Sequence, residues 1–208
     1  YFIDSFGEYW RAYHFVEDAY ALEEVKDPQD FYQSAVAFGN FQRMLADFPA
    51  DTLTETIAGF HDTKARFAAF EKAVEEDVCG RAAGVQQEIR FIKDRYDVAC
   101  VLGDLLEAGE LPLRVTHNDT KSNNVLMDNA TGKGLCVIDL DTVMPGLAVN
   151  DFGDSIRFGA STGAEDEKDL SRISCDMELY DIYAKGFVEG CGGALTDMEI
   201  ECLPIGAK

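Results

Sequence analysis

The sequence predicts an α+β fold that is mainly α-helical, and three features of it favour this class. Apolar residues recur at the spacing of an α-helix in several long segments before residue 109 and again near the end of the chain. Two short β-rich runs enclose a polar turn near residue 131, and an aromatic-rich stretch opens the sequence. Because the strand-like runs are too short for a large sheet, we expect small hairpins packed against a helical body.

The first elements are a hairpin and a helix. Residues 1–16 hold two aromatic-rich runs on either side of a turn at residues 5–8, which is typical of a β-hairpin. An isolated hairpin is marginally stable in water, so this one is expected to pack against other residues. A helix is then expected to begin at Asp27 and Pro28, since an aspartate can cap a helix and a proline suits its first turn.

Two further helices precede the polar centre of the sequence. One is expected over residues 63–77. The next is expected to be long and unbroken, because apolar residues from Val85 to Leu106 keep the helical period for about six turns before Gly109 can end it. These apolar stripes predict core packing and not cofactor sites.

Short strands are predicted after the third helix. Residues 113–116 are expected to be extended. Residues 125–127 and 135–138 are expected to pair as a two-stranded hairpin, joined by a polar turn at residues 128–134.

The last part of the chain returns to helices. The apolar face of residues 179–187 predicts one helix, which Gly190 can end. A capping box at residues 196–199 predicts the start of another, which is expected hardly to begin before Pro204 and the last residue, Lys208.

The composition restricts the partners of the protein. Of 208 residues, 47% are hydrophobic, which is enough for a core, and the formal net charge is −21. A surface this acidic repels nucleic acids and anionic membranes, so we expect neither as a partner. No apolar run reaches the length of a membrane span. The six cysteines have no CxxC spacing, which favours free thiols and a cytoplasmic location.

Five polar residues are the candidates for catalysis and metal binding. His117, Asp119 and Asn124 lie between two apolar strands, and Asp139 follows the second strand of the predicted hairpin. Hairpin pairing can bring Asp139 back toward Asn124, which would give one carboxylate and one amide oxygen for Mg²⁺. Asp119 can then face a substrate hydroxyl as a base or positioning group, and Lys121 can neutralise charge on a transferred phosphoryl group. This layout is the one that phosphoryl transfer from ATP requires.

The motif H-x-D-x-x-x-x-N, followed by an apolar strand and I-D, resembles the aminoglycoside phosphotransferase and choline kinase-like family, whose fold is protein-kinase-like. The wider stretch RVTHNDTKSNNVLMD and GLCVIDLDTVMPGLAVNDFGDSIRF is most similar to the family's branch of N-acetylhexosamine 1-kinases. Weaker similarity extends over YWRAYHFVEDAY and FYQSAVAFGNFQRMLADFP. The resemblance implies ATP as co-substrate, Mg²⁺ as cofactor and transfer to the anomeric hydroxyl of N-acetylglucosamine or N-acetylgalactosamine.

The resemblance also implies roles for single residues. His117 is expected to brace the loop by hydrogen bonds, and Asp139 takes the metal position. Asp141 is a weaker metal candidate that can equally bond a loop backbone. For Lys121 the sequence leaves two roles undecided, contact with a phosphate and exposure to solvent as a surface lysine.

Residues 151–153 spell DFG, the metal motif of protein kinases, but they follow a long loop at residues 142–150 and not the strand pair. By resemblance, Asp151 therefore braces the active-site loops and does not hold the metal. Arg157 can meet either a phosphate or a carboxylate such as Asp154, and the sequence leaves this open.

The resemblance divides the chain into two parts. Residues 1–18 correspond to the end of an N-terminal lobe and the hinge, in which Phe15, Val16 and Glu17 border the adenine. Residues 19–208 correspond to the helical C-terminal catalytic lobe. The sequence before the catalytic motif holds neither a glycine-rich phosphate loop nor the strand lysine of such kinases. We therefore expect a piece of a longer kinase, shortened at both ends, that binds ATP poorly on its own.

Three other functions remain open at this point. A cationic acceptor such as choline, another amino alcohol or an aminoglycoside would suit an acidic protein. The strand-D-x-D-x-T pattern of residues 137–143 also resembles the haloacid dehalogenase-like phosphatases, in which Asp139 would be a nucleophile and Asp141 an acid/base. The third is a kinase-like binding module without catalysis. The sequence predicts no oligomeric state.

Overall fold

The computed structural model describes residues 1–163 and 166–208, and most of its regular structure is helical. Within these residues there are seven α-helices. They are α1 (Pro28–Met44), α2 (Thr63–Glu76), α3 (Gln86–Lys93), α4 (Tyr96–Glu107), α5 (Ala148–Gly159), α6 (Met177–Cys191) and α7 (Asp197–Ala207). The predicted fold class, α+β and mainly α, is confirmed.

The strands of the described residues are short and form three small sheets. They are β1 (Phe2–Ile3), β2 (Tyr9–Trp10), β3 (Ala19–Ala21), β4 (Arg114–Thr116), β5 (Val125–Asp128), β6 (Gly134–Val137) and β7 (Met144–Gly146). The sheets are β1–β2, β3–β5–β6 and β4–β7. Every pairing between these strands is antiparallel.

Helix α1 begins and packs as its sequence predicts. The Asp27 carboxylate accepts a hydrogen bond from Gln29 N at 2.8 Å and so caps the first turn. Phe31, Ala35 and Phe38 are buried on the face that packs along α6. The helical period of the apolar residues therefore identifies the buried face correctly.

The main core lies between α1, α5, α6 and α7 and the back of the β5–β6 hairpin. Phe152 of α5 packs against Tyr183 and Phe187 of α6, with ring centroids 5.7 and 5.6 Å apart. Phe31 of α1 lies 4.5 Å from the Tyr183 ring. Full burial of one such side chain contributes about 1.5–3 kcal/mol. These contacts fix the helices on which the site is built.

The long unbroken helix predicted up to Leu106 is wrong, because the chain forms α3 and α4 with a break at Asp94 and Arg95. Arg95 N bonds Ile92 O at 3.1 Å, which is the tighter spacing of a helix end. The Arg95 guanidinium donates to Phe91 O at 3.0 Å. A side chain therefore satisfies the carbonyl that a continuing helix would pair with Arg95 N. The spacing of the apolar residues holds no information on this side-chain hydrogen bond, so it did not predict the break.

The other helix predictions are confirmed with two corrections. Gly190 does not end α6, which runs to Cys191 and is capped by Gly192, because Gly190 is instead a point of close contact with α1. The helix predicted over residues 63–77 is α2, and the capping box at Thr196 and Glu199 opens α7. However, α7 runs through Pro204 to its end. The carbonyl that loses its partner there belongs to Ile200, which is 41% exposed, so water can satisfy it.

The hairpin predicted between residues 125 and 138 gains a third strand. β3 pairs with β5 in the register Tyr20↔Met127, while β5 pairs with β6 as predicted. The prediction missed β3 because three residues are too few to show an alternating pattern. The pairing attaches the N-terminal segment to the strand that follows the polar centre of the sequence.

The long loop predicted over residues 142–150 is wrong, since β7 and the start of α5 occupy much of this stretch. β7 pairs with β4 in the register Thr116↔Met144. Asp151 consequently lies in the first turn of α5, where the helix dipole favours a carboxylate.

The predicted N-terminal hairpin is present as β1 and β2. Asp4 holds its turn, with Oδ1 accepting from Phe6 N at 2.8 Å and from Glu8 N at 3.0 Å. Asp4 Oδ2 accepts from Trp10 Nε1 at 2.9 Å. Most aromatic side chains of the hairpin are nevertheless exposed, Phe6 at 89%.

None of the helices among the described residues has the length and apolar character needed to cross a membrane. All six cysteines are free thiols.

Candidate active site

The candidate site is built on residues 116–124, here called the site loop, which lead from β4 to β5. One carboxylate holds its first amide groups. Asp151 Oδ2 accepts from His117 N at 2.9 Å, and Asp151 Oδ1 accepts from Asn118 N at 2.8 Å. All three residues are buried. A buried amide without an acceptor costs about 1–3 kcal/mol, so Asp151 anchors the loop to α5.

Helix α5 also holds the middle of the site loop. Asp154 Oδ2 accepts from Thr120 N at 2.8 Å, and Ser155 Oγ donates to Thr120 O at 2.8 Å. The Thr120 hydroxyl donates to Asp151 O at 2.5 Å. Tyr183 of α6 supports the arrangement from behind, because its hydroxyl donates to Ser155 Oγ at 2.5 Å.

His117 is completely buried and is bonded at both ring nitrogens. Its Nδ1 accepts from Asp119 N at 3.3 Å, so the proton is on Nε2, which donates to Ile138 O at 2.9 Å. Phe38 and Phe41 pack edge-on against the ring, with centroids 5.5 and 5.8 Å away. The imidazole therefore joins the site loop to the end of β6 and has no free nitrogen for proton transfer.

Asp119 is held in place while part of its carboxylate faces solvent. Asp119 Oδ2 accepts from Asn124 Nδ2 at 3.1 Å, and the same amide nitrogen lies 2.8 Å from Asp119 O. Lys121 Nζ lies 3.6 Å from Asp119 Oδ1. The Asp119 side chain is 30% exposed, so an external hydroxyl can reach it.

Asn124 and Asp139 carry donor atoms that fit a hard cation. The hydrogen bonds from Asn124 Nδ2 to Asp119 direct the Asn124 amide oxygen away from that carboxylate, and no described residue donates to it. Ile138 N donates to Asn124 O at 2.9 Å, so Asp139 directly follows a residue that pairs with Asn124. Asp139 has a φ of +60° and is exposed. One carboxylate and one amide oxygen suffice for Mg²⁺, which keeps several of its waters.

Across the part of the chain that the structure describes, no group of three or more His, Cys, Asp and Glu side chains is placed to hold a metal ion. The predicted pair of one aspartate and one asparagine is smaller than such a group, so it stays a prediction. Asp141, the weaker candidate, forms an ion pair with Arg11. The hydrogen bond and charge of Asp141 raise the pKa of the Arg11 guanidinium, and Asp139 adds to the effect.

The electrostatics of Asp151 reflect its position in the core. Burial raises the pKa of Asp151 to about 6, although hydrogen bonds from His117 N and Asn118 N favour the charged form. Gln42 of α1 adds a third donor, with Nε2 at 2.8 Å from Asp151 Oδ2. The buried Gln42 Oε1 has no hydrogen-bond partner within the described residues.

The remaining predicted site residues lie at the edges of the site. Arg157 Nη2 forms an ion pair with Asp154 Oδ1 at 3.0 Å, which is one of the two contacts that the sequence left open. Phe15 and Glu17 are exposed and Val16 is partly buried. These three residues lie between β2 and β3, just before the strand that pairs with β5.

Sequence reasoning missed several residues that fix the site loop. Thr142 Oγ1 donates to His117 O at 2.6 Å, and Gln42, Ser155 and Tyr183 make the contacts described above. Gln42 and Tyr183 are far from the motif in sequence, and their polar atoms lie on helical faces that otherwise carry apolar residues. A polar residue on an apolar helix face was the only available signal, because a buried polar group needs a partner.

Comparison with known proteins gives one family match and similar solved structures. A family model described as APH, phosphotransferase enzyme family, matches residues 4–184. The chain is similar to a crystal structure of aminoglycoside-3'-phosphotransferase of type VIII, with a TM-score of 0.44 and 17% identity over 86% of this chain and 61% of that one. It is also similar to an ethanolamine kinase of Plasmodium vivax, with a TM-score of 0.48 and 17% identity over 92% of this chain and 52% of that one. The chain therefore spans less than two thirds of the length of both proteins.

Proposed function

Because the chain belongs to the phosphotransferase enzyme family, we propose that it transfers the γ-phosphoryl group of ATP to a hydroxyl of a small molecule in the presence of Mg²⁺. The acceptor that we propose is an N-acetylhexosamine, N-acetylglucosamine or N-acetylgalactosamine, and the product is the sugar 1-phosphate. The observation that carries the proposal is the placement of Asp119. The residues before and after it, Asn118 and Thr120, donate hydrogen bonds to carboxylates of α5, and the Asp119 side chain is 30% exposed.

Asp119 is the proposed positioning group and base. It would bind the acceptor hydroxyl and take its proton as the acceptor oxygen bonds to the γ-phosphorus and the bond to the ADP oxygen breaks. The hydrogen bond from Asn124 Nδ2 to Asp119 Oδ2 holds the carboxylate in one orientation. Lys121, 3.6 Å from Asp119 Oδ1, is placed to add positive charge beside the transferred group.

Asn124 and Asp139 are the residues that we propose hold Mg²⁺. A bound Mg²⁺ would offset the negative charge of the ATP phosphates, which an acidic protein otherwise repels. Asp141 is a secondary candidate, because it would first have to release Arg11. His117 and Asp151 are proposed to brace the loop and not to take part in the chemistry, since their polar atoms are bonded to the loop itself, to Ile138 O or to Gln42.

The neutral sugar is favoured over a cationic acceptor by the similarity of residues 114–158 to N-acetylhexosamine 1-kinases. The net charge of −21 supports the alternative, a choline, amino-alcohol or aminoglycoside kinase. The hypothesis of a haloacid dehalogenase-like phosphatase has less support, because its motif belongs on a strand of a parallel sheet, whereas β6 pairs antiparallel with β5. A binding module without catalysis would not need an exposed Asp119 beside Lys121.

The division of the chain is also part of the proposal. We place residues 1–18 at the end of an N-terminal lobe and hinge, with Phe15, Val16 and Glu17 beside the adenine, and residues 19–208 in the C-terminal catalytic lobe. Support comes from β3, which connects the hinge segment to β5 next to the site loop. The six free thiols support a cytoplasmic location. A full-length protein that binds ATP no more tightly than these 208 residues would contradict the division.

The test is product analysis with ATP, Mg²⁺ and a panel of acceptors. Full-length enzyme is mixed with N-acetylglucosamine, N-acetylgalactosamine, choline, ethanolamine and kanamycin, and ³¹P NMR identifies the phosphorylated position. We expect a sugar 1-phosphate, and removal of Mg²⁺ should abolish it. Asp119→Asn should lower kcat at least about 100-fold, because general-base catalysis contributes on the order of 10²–10⁴.

The matched control is Asp47→Asn, which makes the same chemical change at an exposed aspartate outside the site. It should leave kcat unchanged. Phosphate on any position other than the anomeric oxygen would reject the 1-kinase activity, and an active Asp119→Asn variant would reject the role of that carboxylate.

A further inference from the structure

Asn118, which directly precedes the proposed base Asp119, has a backbone conformation that most side chains disfavour. Its φ is +65°, in the left-handed region where the Cβ of a residue crowds the following carbonyl oxygen. Among the described residues other than glycine, four have a positive φ, and Asn118 is the only buried one of them. Asparagine tolerates this region better than most residues, but such a conformation persists only where the surrounding structure holds it.

The conformation of Asn118 determines the shape of the site loop. It lets two successive backbone N–H groups, those of His117 and Asn118, meet the Asp151 carboxylate at 2.9 and 2.8 Å. His117 and Asn118 are buried, whereas the next side chain along the chain, Asp119, is 30% exposed. A change in the φ of Asn118 would therefore redirect the carboxylate that we propose as the base.

The side-chain amide of Asn118 holds this conformation. Its Nδ2 donates to Thr142 O at 3.0 Å and to Thr116 O at 3.3 Å. Because both partners are carbonyl oxygens, which only accept, the amide nitrogen must lie on their side and Oδ1 on the other. The Thr142 hydroxyl also donates to His117 O at 2.6 Å, so Thr142 holds both His117 and Asn118.

The amide oxygen of Asn118 needs His61 as a donor. Two groups lie within reach of Oδ1, Thr116 Oγ1 at 3.1 Å and His61 Nε2 at 3.2 Å. The Thr116 hydroxyl has a single proton, and it lies 3.0 Å from a second acceptor, Met144 O. One proton cannot serve both acceptors fully, and a buried oxygen without a donor is costly. His61 Nε2 is placed to supply the second N–H or O–H group, which requires that the proton of a neutral ring is on Nε2.

His61 is positioned by the turn before α2. Asp62 N donates to Gly59 O at 3.1 Å, and the Asp62 carboxylate caps the first turn of α2. The Phe60 ring packs edge-on against the imidazole, with ring centroids 4.6 Å apart. His61 is exposed to solvent, so a substitution there tests its contact with Asn118 without opening the core.

We infer that His61 and Asn118 are positioning residues for the phosphoryl transfer. The imidazole of His61 holds the Asn118 amide, the amide holds the left-handed backbone, and this backbone directs Asp119 toward the acceptor hydroxyl. The inference rests on the proposed function, because it takes Asp119 as the base. It adds a connection from the start of α2 to that carboxylate, and it assigns no proton transfer to His61, which acts through Asn118.

The first test uses NMR on the 208-residue chain and needs neither ATP nor an acceptor. Long-range ¹H–¹⁵N spectra identify the ring nitrogen that carries the proton, and we expect Nε2 for neutral His61. His61→Phe removes the donor, and the amides of residues 118 and 119 should then exchange about fivefold faster, the effect of losing one neutral hydrogen bond. His61→Gln is the matched variant, because it keeps an N–H group at the position of Nε2, and its exchange rates should stay within about twofold of the unmodified chain.

The second test measures kinetics of the full-length enzyme with ATP, Mg²⁺ and N-acetylglucosamine, after circular dichroism has shown that each variant is folded. His61→Phe should lower kcat about fivefold and leave the KM for ATP unchanged, because the contact orients the base and not the nucleotide. His61→Gln should restore kcat.

A double-mutant cycle shows whether His61 acts through Asn118. Glycine adopts a positive φ without strain, so Asn118→Gly keeps the backbone conformation accessible but has no amide for His61 to hold. In the Asn118→Gly background, His61→Phe should change neither kcat nor the exchange rates, since the two residues form one unit.

Three results would overturn the inference. Equal exchange rates and equal kcat in His61→Phe and the unmodified protein would show that the site loop does not depend on this contact. Equal losses in His61→Phe and His61→Gln would mean that the N–H group is not what matters. A loss from His61→Phe that persists in the Asn118→Gly background would mean that His61 does not act through Asn118.

Failure of the proposed function would give a different result. Faster exchange at residues 118 and 119 in His61→Phe, together with no phosphate transfer by the unmodified full-length enzyme, would confirm the contact between His61 and Asn118 and reject the reaction that it is inferred to serve.

Discussion

The helices behind the site loop and the helices beside it pack in different ways. In the first group, α1, α5, α6 and α7, backbones approach so closely that glycines are required. A Cβ added at Gly39 would lie 2.3 Å from Phe187 O, and one at Gly190 would lie 2.4 Å from Val36 O. The second group consists of α2 and α3, of which α2 buries no residue and α3 buries only Ile89. We call the first group the braced helices and the second the open helices.

The two groups serve different parts of the site. The braced helices carry the side chains that hold the site loop, among them Asp151 and Ser155 on α5 and Tyr183 on α6. Of the open helices, α2 lines a cavity beside the site loop, together with α4. Chemistry needs groups held to within about 0.5 Å, which close packing provides. Segments with few buried apolar contacts open at lower free energy, so the open helices can adjust around a ligand.

The largest expected effect comes from breaking the contact between two braced helices. Gly39→Val would bring a side chain into Phe187 O and Cys191 N, which lie 2.3 and 2.8 Å from the position of its Cβ. Since these are backbone atoms, α1 and α6 would have to separate. We expect the free energy of unfolding to fall by at least about 3 kcal/mol, the upper end of overpacking costs. Urea denaturation followed by circular dichroism measures it.

The control makes the same substitution in the other region. Gly84 precedes α3, and a Cβ there meets no atom within 4 Å, so Gly84→Val should change the free energy of unfolding by less than about 0.5 kcal/mol. Similar losses at Gly39 and Gly84 would mean that the two regions do not differ in packing as described.

The second effect concerns the anchor between the braced helices and the site loop. Asp151→Asn keeps the shape of the side chain but replaces one acceptor oxygen with an NH₂ group, which would face His117 N or Asn118 N. One buried amide would lose its acceptor, at a cost of about 1–3 kcal/mol. We expect a loss of about 2 kcal/mol in the free energy of unfolding, together with faster amide hydrogen exchange at residues 117 and 118.

The exchange pattern separates a local role from a general one. Asp47→Asn, at an exposed position, should change neither the free energy of unfolding nor the exchange rates. If Asp151→Asn lowers the stability while residues 117 and 118 exchange no faster than the helix interiors, Asp151 is a core residue and not the anchor of the loop.

Much of the fold could be predicted from the sequence because helices with one buried face show a helical period. The face of α1 with Phe31 and Phe38 and the capping box at Thr196 are examples. The break between α3 and α4 escaped prediction, since it depends on where the Arg95 side chain bonds. The strand β3 escaped because its pairing with β5 is a tertiary contact between residues more than 100 positions apart.

The residues of the candidate site also fall into a group that the sequence could predict and a group that it could not. His117, Asp119, Asn124 and Asp139 could be selected because their types and spacing suit phosphoryl transfer. The side chains that hold the loop could not, because their positions depend on how the braced helices pack. Gln42, for example, reaches Asp151 from a position 109 residues earlier in the chain.

The smallest expected effect tests how far this bracing extends from the loop. Tyr183→Phe removes only the hydroxyl that donates to Ser155 Oγ at 2.5 Å, while Ser155 can still donate to Thr120 O. One neutral hydrogen bond contributes about 0.5–1.5 kcal/mol, so we expect a loss of about 1 kcal/mol and slightly faster exchange at Thr120 N. Tyr180→Phe is the control, because Tyr180 lies on the same helix and packs edge-on against Phe152, with ring centroids 5.7 Å apart. If both variants are equally stable, the bracing of the site loop ends at α5 and α6 contributes only through its apolar packing.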